Sequence, residues 1–174
     1  MSIHADPPHL APAAASPSPE PVPGSSSPWG RVQHVERLRP GVVFVSTPSH
    51  GGLWLSEDAQ PLMPDQLRPR HGRAWWEEDV EIQAPLLVLG LDDAENDRDR
   101  AIAILAAFQP DWLDALAAAL RIPNAAQVRR IRELHGDDGP PDLDVWRSAR
   151  ADGAVEGRVG GVRWTISAAG EAIG

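Results

Sequence analysis

Pro28–Gly52 reads PWGRVQHVERLRPGVVFVSTPSHGG, and how this stretch is read decides the fold. GVVFVST at 41–47 is dense in β-branched residues, whose stiff side chains suit a pleated surface better than a helix. Residues 32–36, VQHVE, share that character, and Arg39-Pro40-Gly41 between the two runs is a turn signal. A β-hairpin is therefore expected. Ser49-His50-Gly51-Gly52 forms the next turn, and Leu53-Trp54-Leu55 supplies a short third strand.

Outward from this core the pattern changes. Ser56 reads as an N-cap with Glu57 and Asp58 favouring a helix start, and the prolines at 61, 64 and 69 keep any element there short. From Trp75 a kinked helix is expected. Trp76, Val80, Ala84 and Leu87 fall on one stripe at helical spacing, with Pro85 as the kink. The competing reading is a helical turn followed by a buried strand, PLLVLGL. Three further helices follow: 101–108, 112–121, and one capped by Asn124 that ends at His135-Gly136. In the last, Val128, Ile131 and Leu134 face inward while Arg129, Arg130 and Arg132 face out. A short helix at 143–151 and a hairpin at 155–166, turning on Gly160-Gly161, complete the chain.

The fold class is α+β: a small antiparallel sheet packed by helices, with a C-terminal helix-plus-β-hairpin module. Three parts are expected. Residues 1–27 hold seven prolines and no run of large apolar residues, which marks a disordered tail without the features of a secretory signal. Residues 28–121 form the α+β domain, and residues 122–174 the C-terminal module.

Composition excludes several chemistries. The chain has no cysteine, no tyrosine and no lysine; all 16 basic residues are arginine. Disulfides, thiol catalysis, Schiff bases and a lysine phosphate anchor are thereby removed, and a cytoplasmic setting is expected. No apolar stretch is long enough to cross a membrane. The net charge is −9, and residues 28–120 carry 15 acids against 8 arginines. An acidic body disfavours non-specific nucleic-acid binding and favours a basic protein partner. Nucleic acid is expected only at the C-terminal module.

Two clusters could carry chemistry. His50, beside Ser49, Gly51 and Gly52, could serve as an anion contact, a metal ligand or a general base. It could equally be a turn histidine bonded to Ser46, Thr47 or Ser49. The second cluster is Trp75-Trp76-Glu77-Glu78-Asp79, with Glu81 beyond. On a helix Glu78 would flank the apolar stripe and point into a site, and a half-buried carboxylate beside tryptophan has its pKa raised. The other reading is a solvated helix start. His50 with Glu78 or Asp79 makes part of a hydrolytic metal site, to which His34 and His71 could add. There is no HExxH, phosphate loop, GxSxG or EF-hand pattern.

PWG at 28–30, STPSHGG at 46–52, WWEED at 75–79 and, more loosely, FQPDW at 108–112 together resemble the uncharacterised family known as domain of unknown function 7007. The resemblance covers residues 28–118. Its members are often phage- or plasmid-borne and present a PWG start, an STxSHGG turn and a WYEEDC block. It implies that Trp29, Gly30, Ser46, Thr47, Ser49, His50, Gly51, Gly52, Trp75, Glu77, Glu78 and Asp79 matter to the family. Trp76 stands here where tyrosine is usual, and Val80 where cysteine is usual. The C-terminal segment looks like the last helices and wing of a winged-helix domain. That resemblance would place Arg147 and Arg150 near a recognition helix and Arg158 and Arg163 in the wing.

The functional expectation is a cytoplasmic accessory protein of phage or plasmid type that binds a macromolecular partner through its acidic body, for instance as an inhibitor of host defence. Such a protein needs no cofactor. The alternatives are a metal-assisted hydrolase using His50, Glu78 and a divalent metal, and a winged-helix DNA-binding regulator.

Overall fold

In the computed structural model, residues 19–91, 95–136, 148–159 and 161–173 are described. The expected hairpin is the centre of the molecule. β3 (His34–Arg39) pairs antiparallel with β4 (Val42–Ser46), and β4 with β5 (Gly51–Leu55) in the register Val43↔Trp54 and Val45↔Gly52. Ahead of them, β1 (Ser26–Ser27) and β2 (Gly30–Arg31) make a two-stranded ribbon, and the Gly24 N–H donates to Val32 O at 2.8 Å. Residues 19–27, grouped with the tail on composition, thus take part in the fold. Residues 1–18 lie outside the described residues.

Two corrections concern the segment after β5. No α-helix starts at Ser56. A turn leads to a 3₁₀ segment (Gln60–Leu62), because Pro61 suits a first helical turn and Pro64 then stops it. Trp75 does not open a kinked helix either. Trp75–Glu77 is β6, the fourth strand of the sheet, paired to β5 with Gly52↔Glu77, Leu53↔Trp76 and Trp54↔Trp75. Only after a turn does α1 (Gln83–Leu89) begin, so PLLVLGL is helix and not strand, and Pro85 sits in its first turn where a missing N–H costs nothing.

The sheet has the order β3-β4-β5-β6, and each of its faces carries a core. Alternation along the strands sends Val42, Leu53, Leu55 and Trp76 one way, onto the helices. It sends Val43, Val45 and Trp54 the other way, with Val32, Trp29 and Trp75. Every residue of β5 is buried, which is the signature of a strand covered on both sides. The helical layer is α1, α2 (Glu95–Phe108), α3 (Pro110–Leu120) and α4 (Ala125–His135). Trp76 is fully buried, edge-on to Trp112 at 5.8 Å between ring centroids, and its indole N–H donates to Arg73 O at 2.9 Å. The Arg73 guanidinium ties down the long loop before β6 through Gln60 O (2.9 Å) and Met63 O (2.6 Å).

Asn124 caps α4 as expected, in a reciprocal box: its side chain accepts from Gln127 N, and the Gln127 side chain accepts from Asn124 N. Val128 and Ile131 face inward and Leu134 is half-buried. The C-terminal hairpin is also present, as β8 (Val155–Val159) and β9 (Val162–Ile166). The helix expected at 143–151 is not supported where it can be read: Ser148–Ala149 is β7, paired to β8. Residues 137–147, including Arg147, lie outside the described residues. Ser167–Gly170 is a turn into β10 (Ala172–Ile173), giving a second sheet of order β10-β9-β8-β7. The architecture is α+β.

Candidate functional site

The site is built where a strand turn, a strand end and the PWG segment meet on the tryptophan-lined face of the first sheet. The turn between β4 and β5 is closed by Thr47. Its backbone N–H donates to His50 O at 2.8 Å, its hydroxyl donates to the same carbonyl at 2.8 Å, and the hydroxyl accepts from His50 N at 3.2 Å. These bonds satisfy the backbone of His50 and leave its ring for other partners. Those partners are acids. Nε2 of His50 is 2.8 Å from Glu77 Oε1, and Nδ1 is 3.4 Å from Glu78 Oε1.

The glycine pair makes this approach feasible. A Cβ on Gly52 would lie 2.2 Å from Trp76 O and 2.3 Å from Trp29 Cη2. A Cβ on Gly51 would lie 2.5 Å from Glu78 Oε2 and 2.7 Å from Val45 O. The missing side chains are thus replaced by the indole of Trp29 and the carboxylate of Glu78. Trp29 in turn packs edge-on against His50 (6.2 Å between centroids), His71 (6.0 Å) and Trp75 (5.7 Å). Its indole nitrogen is buried and has no hydrogen-bond partner among the described residues.

Glu77 is the best-anchored acid. It closes the turn after β6 by accepting from Asp79 N at 2.8 Å and Val80 N at 3.1 Å. Burial alone would raise its pKa. The two backbone donors, the Asp79 side chain and the His50 charge act the other way and prevail, so its pKa lies below the ordinary 4.5. Glu81 is fixed elsewhere, accepting from Arg70 N at 2.8 Å and Glu77 N at 3.3 Å. Asp79 is exposed, yet a ligand atom from each of His50, Glu77 and Asp79 lies within 4.8 Å of the others.

Among the residues singled out in the sequence, His50, Glu77, Glu78 and Asp79 come together, with Gly51 and Gly52 as the space that admits them. Ser49 is exposed, and its recorded contact is a long one from its backbone N–H to Thr47 Oγ1 at 3.5 Å. Trp75 lies on the site face against Trp29, whereas Trp76, grouped with the site by sequence proximity, is carried to the opposite face and into the main core. The acid expected to lead was Glu78, on a helical stripe. In the strand that actually forms, Glu77 lies across from Gly52 and makes the shorter contact to His50. His34 pairs with Ser46 at the start of β3, and His71 reaches Trp29 from its other side. As site residues, Trp29 and Thr47 were marked in the sequence only by the family resemblance. The signal for Trp29 was there: a glycine pair inside a sheet asks what fills the vacated face.

Among the described residues, the C-terminal arginines do not form a comparable group. Arg150 follows β7 in a turn and pairs with Asp152 at 3.4 Å and Glu156 at 3.3 Å. Arg158 and Arg163 are exposed and directly opposed across β8 and β9.

Residues 22–138 match the family model described as Domain of unknown function (DUF7007). The chain belongs to this family. The matched segment takes in the ribbon around Trp29, the whole first sheet and the four helices α1–α4, and passes the expected boundary at 121–122. No curated protein and no solved structure matches the chain. The C-terminal sheet lies outside the family segment, and its winged-helix likeness has no support from a relative. No helix among the described residues is long and apolar enough to cross a membrane.

Proposed function

We propose that the protein is a divalent-cation-dependent hydrolase acting in the cytoplasm, with His50, Glu77 and Asp79 as cation ligands and Glu78 orienting the imidazole. The observation that supports this best is the convergence of one imidazole nitrogen and two carboxylates within 4.8 Å. Donors of this kind suit Mn²⁺, Fe²⁺ or Zn²⁺. Ligand atoms about 2.1 Å from a tetrahedral ion stand about 3.4 Å apart; His50 and Glu77, at 2.8 Å, would part slightly while exposed Asp79 closes in. Glu78 on the far ring nitrogen matches the carboxylate–histidine pairing that fixes the tautomer of a metal-bound imidazole. Three protein ligands leave a position for water, whose pKa a bound Zn²⁺ would lower to about 7. The lowered pKa of Glu77 keeps it charged and ready to ligate.

Calorimetric titration with Mn²⁺ and Zn²⁺ tests the reading. One equivalent should bind, and Asp79→Asn, an exposed change that leaves packing intact, should weaken binding at least tenfold. Glu78→Gln should weaken it by about tenfold. No binding at millimolar cation, or an unchanged affinity in Asp79→Asn, removes the proposal.

A second reading is an accessory protein of phage or plasmid type that engages a basic macromolecular partner. It draws on the net charge of −9 and on acids such as Glu57, Asp58, Asp65 and Asp111, which are exposed and which the cation centre does not use.

A further inference from the structure

A cavity of about 670 Å³ that shares no lining residue with the His50 site opens between α3, the start of α4 and the turns of the C-terminal sheet. That is within the size range of small-molecule sites, roughly 300–1,000 Å³. Its walls are fixed. The Gln127 side-chain nitrogen, almost fully buried, lies 2.8 Å from Gly153 O, 3.1 Å from Ser167 O and 3.3 Å from Ile166 O. The Asn124 side-chain nitrogen donates to Ala168 O at 2.8 Å, so α4 and the sheet are joined on both sides of the opening.

The lining divides by chemistry. Ala117, Ala118, Ile122 and Ala168 supply an apolar surface, and Arg121 and Arg150 supply charge. Asp114 also lines it, but its carboxylate accepts from Ala125 N at 2.8 Å, at the positive end of α4. Arg121 is the independent pointer. It follows α3 with φ 54° and ψ 46°, the left-handed conformation usually left to glycine, and it is the one non-glycine residue with positive φ among those described. It pairs with no acid among the described residues. Its N–H closes the helix on Ala117 O, and a guanidinium without an acid in the lining of a preformed cavity is what points to an anionic ligand. The pairs of Arg150 with Asp152 and Glu156 are long and exposed, and an incoming anion can exchange with them.

We propose that this cavity binds a small organic anion with an apolar body, its acid group held between Arg121 and Arg150. The site is independent of the cation centre.

The test is an NMR titration of the full chain with octanoate, read at the amides of Ala117, Ala118 and Ala168, with octanamide and inorganic phosphate as controls. Octanoate should bind, with octanamide and phosphate each at least tenfold weaker. Arg121→Gly relieves the left-handed strain, so it should keep or raise Tm while weakening octanoate at least tenfold; His50→Ala should leave octanoate affinity unchanged. The proposal is overturned if octanoate fails to bind at millimolar concentration or if either control binds as well. Wild-type affinity in Arg121→Gly, or loss of octanoate binding in His50→Ala, overturns it too.

Discussion

The two four-stranded sheets of this molecule solve the same packing problem in opposite ways. In β3–β6 both faces are covered, and the middle of the sheet gives up side chains at Gly51 and Gly52 so that an indole and a carboxylate can enter. In β7–β10 one side packs Val155 and Ile166 into the main core, while Arg158 stands opposite Arg163 and Val162 and Ile173 are exposed. Backbone carbonyls of that sheet also meet the side chains of Gln127 and Asn124. The difference shows where chemistry can be built. Functional side chains meet over a vacated, doubly covered strand, whereas the second sheet contributes walls and turns.

Gly52→Ala breaks the comparison most directly. The added Cβ meets both the Trp76 carbonyl and the Trp29 ring well inside contact distance, so a loss of about 2–3 kcal/mol is expected in urea unfolding. A change below about 0.5 kcal/mol would mean that the first sheet has slack.

Acid should act on the same place with a smaller effect. The pKa of Glu77 is depressed in the folded state, so between that value and the ordinary 4.5 the unfolded chain binds more protons. The stability it contributes is fully present above 4.5 and is lost as pH falls through the folded value. In Glu77→Gln this part of the acid slope should vanish from the pH dependence of Tm, whereas Asp152→Asn in the second sheet should leave it in place.

The smallest effect has the opposite sign. Arg163→Glu replaces a like-charged cross-strand pair by an opposite one, for a gain of about 0.2–1 kcal/mol in the same unfolding assay. A loss would show that these arginines are held by contacts other than each other.

Local patterns were readable where local physics decides. The β-branched run of β4, the Asn124 cap and the Gly-Gly hairpin of β8 and β9 each carry their cause within a few residues. Trp75-Trp76-Glu77 does not. Three residues cannot display a period of two, and the same letters continue a helical stripe toward Leu87. What makes them a strand is the free edge of β5, a partner some 20 residues earlier in the sequence. The site inherits this limit. Its residue types were legible in His50 and the acid run, but the leading acid was not, because a helix points Glu78 where a strand points Glu77. The wall made by Trp29 depends on a contact across the sheet that spacing alone does not encode.

The packing of Trp29 onto Gly52 ties part of the motif to survival of the fold. A lineage that ceased to use the site would still be obliged to retain that indole and that glycine, since losing either opens or overfills the sheet. Asp79 is under no such obligation, being exposed at the rim. Among descendants of a common ancestor it would drift first once the chemistry lapsed. Whether an acid stands at this position in a relative is therefore the record to consult for continued use.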